Sequence, residues 1–309
     1  MPEFSDSPDA VDQLAGIPNP PTPARLSVGV ISAGRVGTAL GAALERAGHI
    51  VTAASAPSNR SRDRAALRLP EARVDAPAVI AEKAELLILA VPDTQLPALV
   101  DELADRVNPS AIVLHTSGAL GVAVLAPLAR LGCTTIAFHP AMTFVDDPDI
   151  TAADEIGHAV GQALALEIGA EPVRVPESAR PLYHAALAHG ANHLVALVDD
   201  AVVALRAALA GGVGLDDPEF LGGGSVDALA ERVLAPLARA ALENALARGP
   251  SALTGPAARG DAAAVTRHLA AIDAVEPAIT DAYRAQSRRA AAQSGTSAMI
   301  DPVLEKENR

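Results

Sequence analysis

The chain has 309 residues, 50% of them hydrophobic, enough to bury a large core and, by length, to form about two domains. A net charge of -13 sets the whole-molecule field against polyanions, which excludes nucleic acid and an anionic membrane as expected partners. The single cysteine, Cys133, excludes a disulfide framework and a cysteine-based metal site, and suits a reducing cytoplasm, the expected location.

Residues 1–24 mix Pro, Ser and acidic side chains without periodicity and read as a disordered tail. No basic segment followed by an apolar one precedes the first element, so secretion is not indicated. The apolar runs elsewhere are too short or too often broken by charge to predict a transmembrane span.

Order begins at Arg25. Leu26, Val28, Val30 and Ile31 predict a short buried strand, followed by the tight turn Ser32-Ala33-Gly34-Arg35-Val36-Gly37. Val36, Ala39, Leu40, Ala43, Leu44 and Ala47 then repeat at helical spacing until Gly48 stops the helix. A strand, a glycine turn and a helix in this order bring backbone N–H groups and a helix N-terminus against a pyrophosphate. Gly34 would let the main chain approach the phosphates, and Gly37 would let helix and strand pack closely. Ser32 stands where the G-x-G-x-x-G pattern has its first glycine, which implies an altered backbone path or a hydroxyl that itself touches phosphate.

The next strand, Ile50 to Ala54, would end beside the adenosine ribose, where an NAD site places Asp or Glu. This chain has instead Ser55, then Ser58-Asn59-Arg60-Ser61-Arg62-Asp63-Arg64. Hydroxyls and planar guanidinium forks suit a 2′-phosphate, which favours NADP(H) over NAD(H). Ser58 or Ser61 also reads as the N-cap of the following helix, and both roles can coexist.

A short strand at Arg73-Val74 precedes the fully apolar Leu86 to Val91, expected to be a central parallel strand buried on both faces and to end in Pro92-Asp93. A helix from Leu96 to Val107, a strand from Ala111 to Leu114 ending in His115-Thr116-Ser117-Gly118, and a helix near Val122 to Leu131 follow. A strand from Thr134 to Phe138 ends in His139-Pro140; a helix from about Ala152 to Ile168 and a last strand, Pro172 to Val175, complete a doubly wound parallel α/β sheet. Beyond Glu177 only helical periodicity remains, with helices from about Arg180 to Ala210, Val226 to Arg248, Asp261 to Val275 and Thr280 to Gln293. Gly211-Gly212, Gly222-Gly223-Gly224 and Gly249-Pro250 punctuate them. The expected domains are 25–176, a Rossmann-type dinucleotide-binding sheet, and 177–309, all helical. Strand-end polar groups facing a cleft between the two would form the default site.

ISAGRVGTAL, AVPD, HTSG, FHP, LYHAALAHGANHL and ALTGPAARGD resemble the bacterial Rossmann-like proteins with a C-terminal domain of unknown function 2520, relatives of the 6-phosphogluconate dehydrogenase-like reductases. The resemblance runs from Arg25 to about Ala291, and its C-terminal motifs are more specific than the glycine turn. It implies hydride transfer with NADP(H) and a helical domain that often dimerises, so a homodimer is expected. The glycine turn, the cluster after the second strand and the end of the central strand give the expected cofactor set: Ser32, Ala33, Gly34, Arg35, Val36, Gly37, Ser55, Ser58, Arg60, Val91 and Pro92. Wider relatives reduce ketopantoate or pyrroline-5-carboxylate.

Reducing a 2-oxo acid needs a proton donor for the oxygen that gains charge and an anchor for the carboxylate. Many wider relatives use a Lys and an Asn four residues later on one helix face. Here the Asn matches Asn192, but the lysine position is Ala188, and the lysines of the chain are Lys83 and Lys306. Histidine is the natural substitute because imidazole exchanges protons near neutrality. His189 lies three residues from Asn192 on one face, and His184 is about 80° away around the helix. Spacing points to His189, whereas the resemblance points to the Tyr183-His184 pair, ranked first. His139 at a strand end could hydrogen-bond substrate or cofactor, Ser117 could hold a carboxylate, and Arg259 could clamp one bidentately. Asp261 reads as a helix cap. The HGANH string has Gly190 where a metalloprotease helix needs Glu, so no metal is expected.

The expected activity is NADP(H)-dependent reduction of a small anionic 2-oxo acid, with ketopantoate to pantoate leading by resemblance. Reduction of a pyrroline-5-carboxylate-type imine and a non-catalytic NADP(H)-binding regulator are the alternatives.

Overall fold

The structure, a computed structural model, describes residues 25–141, 147–152, 155–210 and 225–305. The expected tail, the Gly211-Gly212 and Gly222-Gly223-Gly224 breaks and Lys306 lie outside the described residues. Two compact units divide the chain, Met1–Ala186 and Leu187–Arg309. The boundary expected near Pro176 falls just before the long helix in which this division lies.

The first unit is built on one sheet. Its strands are β1 (Ser27–Ile31), β2 (Ile50–Ala54), β3 (Arg73–Val74), β4 (Leu86–Leu89), β5 (Ile112–His115), β6 (Thr134–Ala141), β7 (Asp147–Ala152) and β8 (Val173–Arg174), in the order β3-β2-β1-β4-β5-β6-β7-β8. The first six in that order are parallel, the arrangement of a Rossmann-type half-pair, and their carboxyl ends share one edge. Helices α1 (Arg35–Arg46), α2 (Asn59–Arg68), α3 (Pro77–Lys83), α4 (Leu96–Leu103), α5 (Ala126–Ala129) and α6 (Glu155–Glu167) connect the strands.

Strand alternation assigns the two faces. Leu86 and Ile88 of β4 pack with Leu40 and Leu44 of α1, Leu69 and Leu164, whereas Leu87 and Leu89 pack with Ile80 of α3, Leu96 and Val100 of α4 and Leu128 of α5. A period of two therefore feeds two cores from one apolar run, and each buried leucine contributes roughly 2 kcal/mol.

The sheet departs from expectation at β7, which runs antiparallel to β6 and pairs parallel with β8. Its sequence, Asp147-Pro148-Asp149-Ile150-Thr151-Ala152, has the composition of a turn, and pairing on both sides makes it a strand. Strand β6 extends through His139 and Pro140, and α6 starts at Glu155 rather than near Ala152 because Thr151 and Ala152 belong to β7. The helix expected over Val122 to Leu131 is a 3-10 turn, Val122–Leu125, followed by α5, whose first turn holds Pro127. Helix α3, opened by Pro77, was not expected.

The long helix α7 (Arg180–Leu209) crosses the division, and α8 (Val226–Arg248), α9 (Pro256–Arg259), α10 (Ala262–Asp273), α11 (Pro277–Ser294) and α12 (Ser297–Leu304) follow it. Val265, Leu269, Ala291, Ile300 and Leu304 form the core of the last helices. Asp261 caps α10 by accepting from Ala264 N at 2.9 Å, as its position suggested. No helix among the described residues is long and apolar enough to cross a membrane.

Candidate functional site

Ser32 takes a φ of 77°, the left-handed conformation that a glycine would adopt at this point. The backbone path of the glycine turn is thus kept, at a cost of roughly 1 kcal/mol for the side chain. Ser55, at the end of β2, holds the turn in place. Its Oγ accepts from Ser32 N, its carbonyl accepts from Ala33 N and its own N–H donates to Val30 O, each at 2.8 Å. The hydroxyl expected near the ribose is therefore engaged in bracing the turn.

Gly34 opens α1 with no side-chain cap, and no acidic residue sits in the first helical turn. The helix start keeps its positive end and its N–H groups for an anion. A Cβ on Gly37 would stand 2.3 Å from the Ser32 carbonyl oxygen and 3.1 Å from Ala90 Cβ, which explains why helix and strand meet so closely there. Arg35 and Val36 are exposed on this rim; Val91 is half-buried and Pro92 exposed beyond the end of β4. These features fit a pyrophosphate.

At the end of β2, Ser58 and Ser61 form a reciprocal capping box at the start of α2. Arg62 donates to Ala56 O, Pro57 O and Asn59 Oδ1, and Arg64 reaches Ala33 O at 3.5 Å. Arg60 is exposed beside them.

A second cluster lies along the same carboxyl edge, where β5 and β6 end. A Cβ on Gly118 would stand 2.7 Å from His184 Cδ2 and 2.9 Å from His139 Nε2, so the missing side chain lets two imidazoles converge. The His139 and His184 rings meet edge to face with centroids 6.2 Å apart, and His139 Nδ1 lies 3.2 Å from the Tyr183 hydroxyl. Burial, followed by the Arg180 and His184 charges, lowers the His139 pKa to about 4, against a smaller opposing effect of Asp93. His139 is thus a neutral ring at neutral pH.

His115 is fully buried. Its Nδ1 accepts from Ser117 N at 3.2 Å, so its Nε2 carries the proton and donates to Gly121 O at 3.1 Å. Burial is the main cause that lowers its pKa to about 4. Ser117, expected to hold a carboxylate, is also buried; its hydroxyl accepts from Leu120 N at 2.9 Å within the turn.

The structure therefore brings His184, His139 and Ser117 together in the first unit. His189, Asn192, His193 and Arg259 belong to the second. His189 and His193 are exposed and lie with their Nδ1 atoms 2.8 Å apart, and Asn192 is exposed next to them. The Arg259 guanidinium donates to Thr254 O. Sequence reasoning missed Arg180, Glu177 and the structural use of His115. Their only signal was the string Glu177-Ser178-Ala179-Arg180 just before Tyr183-His184, which reads as a solvated helix start.

Two solved structures are similar over nearly the whole chain. One is a Bacteroides fragilis protein provisionally named an NADP oxidoreductase, 20% identical, covering 87% of this chain and 98% of its own, with a TM-score of 0.69. The other is protein TM1727 from Thermotoga maritima, 19% identical over 88% of this chain and 99% of its own, with a TM-score of 0.57. At these identities the likeness establishes the fold. No curated protein sequence matches the chain. The Rossmann-like domain family matches residues 15–140, and the domain of unknown function DUF2520 matches residues 149–290. The chain thus joins a Rossmann-like domain to a DUF2520 domain.

Proposed function

We propose that the protein is an NADP(H)-dependent oxidoreductase acting on a small 2-oxo acid, with ketopantoate to pantoate as the leading reaction. The observation that carries this reading is the Ser32–Gly37 turn, which keeps a glycine's left-handed backbone and opens α1 without a side-chain cap. The name given to the Bacteroides fragilis protein agrees with it.

Gly34, Arg35, Val36 and Gly37 would hold the pyrophosphate through main-chain N–H groups, and Arg60 the 2′-phosphate. A nicotinamide held there would be the source of the hydride for the substrate carbonyl carbon. The carbonyl oxygen then needs a proton. Of the three histidines at this end of the sheet, His115 of β5 is committed to its turn and His139 of β6 is held neutral, which leaves His184 of α7 as the proton donor. His139 orients substrate as a neutral hydrogen-bonding ring.

The helical unit supports a homodimer. Leu194, Val195 and Leu197 of α7 and Val233, Leu237, Leu242 and Leu246 of α8 are exposed, and Leu197, Leu205, Val233, Leu234 and Leu237 line a cavity of 520 Å³. Helices apolar on several faces are stable in water only when covered. A second copy presenting the same helices is the occupant proposed, and sedimentation of the purified chain as a monomer would remove it.

The activity is tested by mixing purified protein with NADPH and a panel of oxo acids and cyclic imines, following nicotinamide absorbance. Oxidation with an oxo acid that falls about 10² to 10⁴-fold in H184A is the expected result. Activity with an imine that survives loss of His184 would favour the imine reductase instead. Tight NADPH uptake without turnover would leave a regulator, and no uptake of either coenzyme would sink the whole reading.

A further inference from the structure

Two charged residues at the entrance to α7 have no part in the chemistry above. Arg180 is fully buried, and its guanidinium donates from Nε to Leu120 O and from Nη2 to Ser117 O, both at 2.9 Å. Three residues earlier, Glu177 accepts from Val122 N at 3.0 Å and from Ala123 N at 3.3 Å. Gly121 lies directly under that carboxylate, since a Cβ there would overlap Glu177 Oε1 at 1.8 Å.

The turn that these residues grip follows β5 and has no ladder of its own to shape it. Three further polar groups of the turn go to side chains: His115 takes Ser117 N and Gly121 O, and Ser117 Oγ takes Leu120 N. Side chains thus meet seven main-chain groups between Ser117 and Ala123, and Arg180 and Glu177 supply four of these bonds. Burying an arginine is costly, and such groups are retained where they fix one arrangement of the chain. Here the arrangement fixed is the seat of Gly118 against His139 and His184.

We propose that Arg180 and Glu177 are positioning residues that clasp the Ser117–Ala123 turn to the start of α7, so that Gly118, His139 and His184 are set in place before substrate arrives. The catalytic consequence rests on the oxidoreductase reading; the geometry does not. The clasp is asymmetric in its chemistry. The fork of Arg180 takes two carbonyls at once, which a lysine ammonium on a flexible stem cannot reproduce with the same rigidity.

His139 reports whether the clasp is closed. Arg180, Tyr183 and His184 face it from α7, His115 from β5 and Asp93 from the turn after β4. A turn that slips lets water reach the ring, which then returns toward the ordinary imidazole range.

The experiment is an NMR titration of the His139 ring in the full chain, for the wild type and for R180Q, R180K and E177Q. The wild type is expected to titrate at about 4. Both arginine variants are expected to move upward by about one unit or more, toward the unperturbed value of about 6.5. E177Q, which keeps Arg180 and loses only the carboxylate, moves in the same direction by less. With any oxo acid that turns over, kcat is expected to fall about 10²-fold while the KM for NADPH stays put. A folded R180K that titrates like the wild type would reduce the arginine to a plain charge and overturn the proposal. So would an unchanged His139 in E177Q, the variant that decides the matter should the arginine variants not fold. The titration reads positioning whether or not NADPH is consumed, so failure of the oxidoreductase reading and failure of the clasp are told apart.

Discussion

The strand-end turns of the sheet unit bury polar groups and satisfy them, whereas the long helices of the second unit expose apolar groups and leave them uncovered. In the first region Arg180, His115 and Ser117 are all buried and all hydrogen-bonded. In the second, Val195, Leu237 and Leu246 are 71%, 68% and 81% exposed, while Thr280 Oγ1, Arg284 Nε and Asp301 Oδ1 are buried without a partner. The difference teaches which region carries its own specification. The turns hold their shape through contacts within the chain, and the helices leave apolar surface that the proposed second copy would cover.

The largest effect expected from this contrast is on pH dependence. His115 and His139 are neutral in the fold at pH values where an unfolded histidine is charged, so the unfolded chain binds more protons between about 6.5 and about 4. Stability should fall as pH falls through that window and level off for these groups below it; His115 alone contributes a change of roughly 3 kcal/mol. Denaturant unfolding at pH 7 and pH 5 measures it, and a flat profile would mean that the rings are hydrated. Next comes G37A, whose Cβ meets the Ser32 carbonyl oxygen at 2.3 Å. It should cost about 1–3 kcal/mol and weaken NADPH binding in calorimetry about 100-fold or more.

A smaller gain should come from S32G, which relieves the left-handed serine and raises stability by about 0.5–1 kcal/mol in the same unfolding assay. The smallest effect belongs to the helical unit. L246E should leave the unfolding free energy of the dissociated chain within about 0.5 kcal/mol of the wild type while shifting sedimentation toward the monomer. Should it unfold the separate chain, the leucine packs internally and the contrast fails.

Much of the sheet could be read from the sequence because its signals are local. Leu86 to Leu89 has only one comfortable place, between two layers, and the glycine turn with its helix fixes β1 and α1. Strand β7 was illegible for the opposite reason: Asp147, Pro148 and Asp149 resist a strand locally, and pairing with β6 and β8 overrides them. The site divides in the same way. His139 could be singled out because a strand end is visible in one dimension, and His184 through the family resemblance, whereas helical spacing alone pointed to His189, which belongs to the second unit. Arg180 and Glu177 could not, because a buried charge looks like a solvated one until the turn that it serves is folded beside it. Ser32 was legible as an exception to a pattern, but its backbone angle was not.

The flanks of the sheet carry one more consequence. Both outermost strands, β3 and β8, are two residues long, and each contains an arginine, Arg73 and Arg174. So brief and charged a border offers a foreign strand almost no template for growth into an aggregate. Sideways growth of the eight-stranded sheet would have to start from a border of two residues and a positive charge on either side.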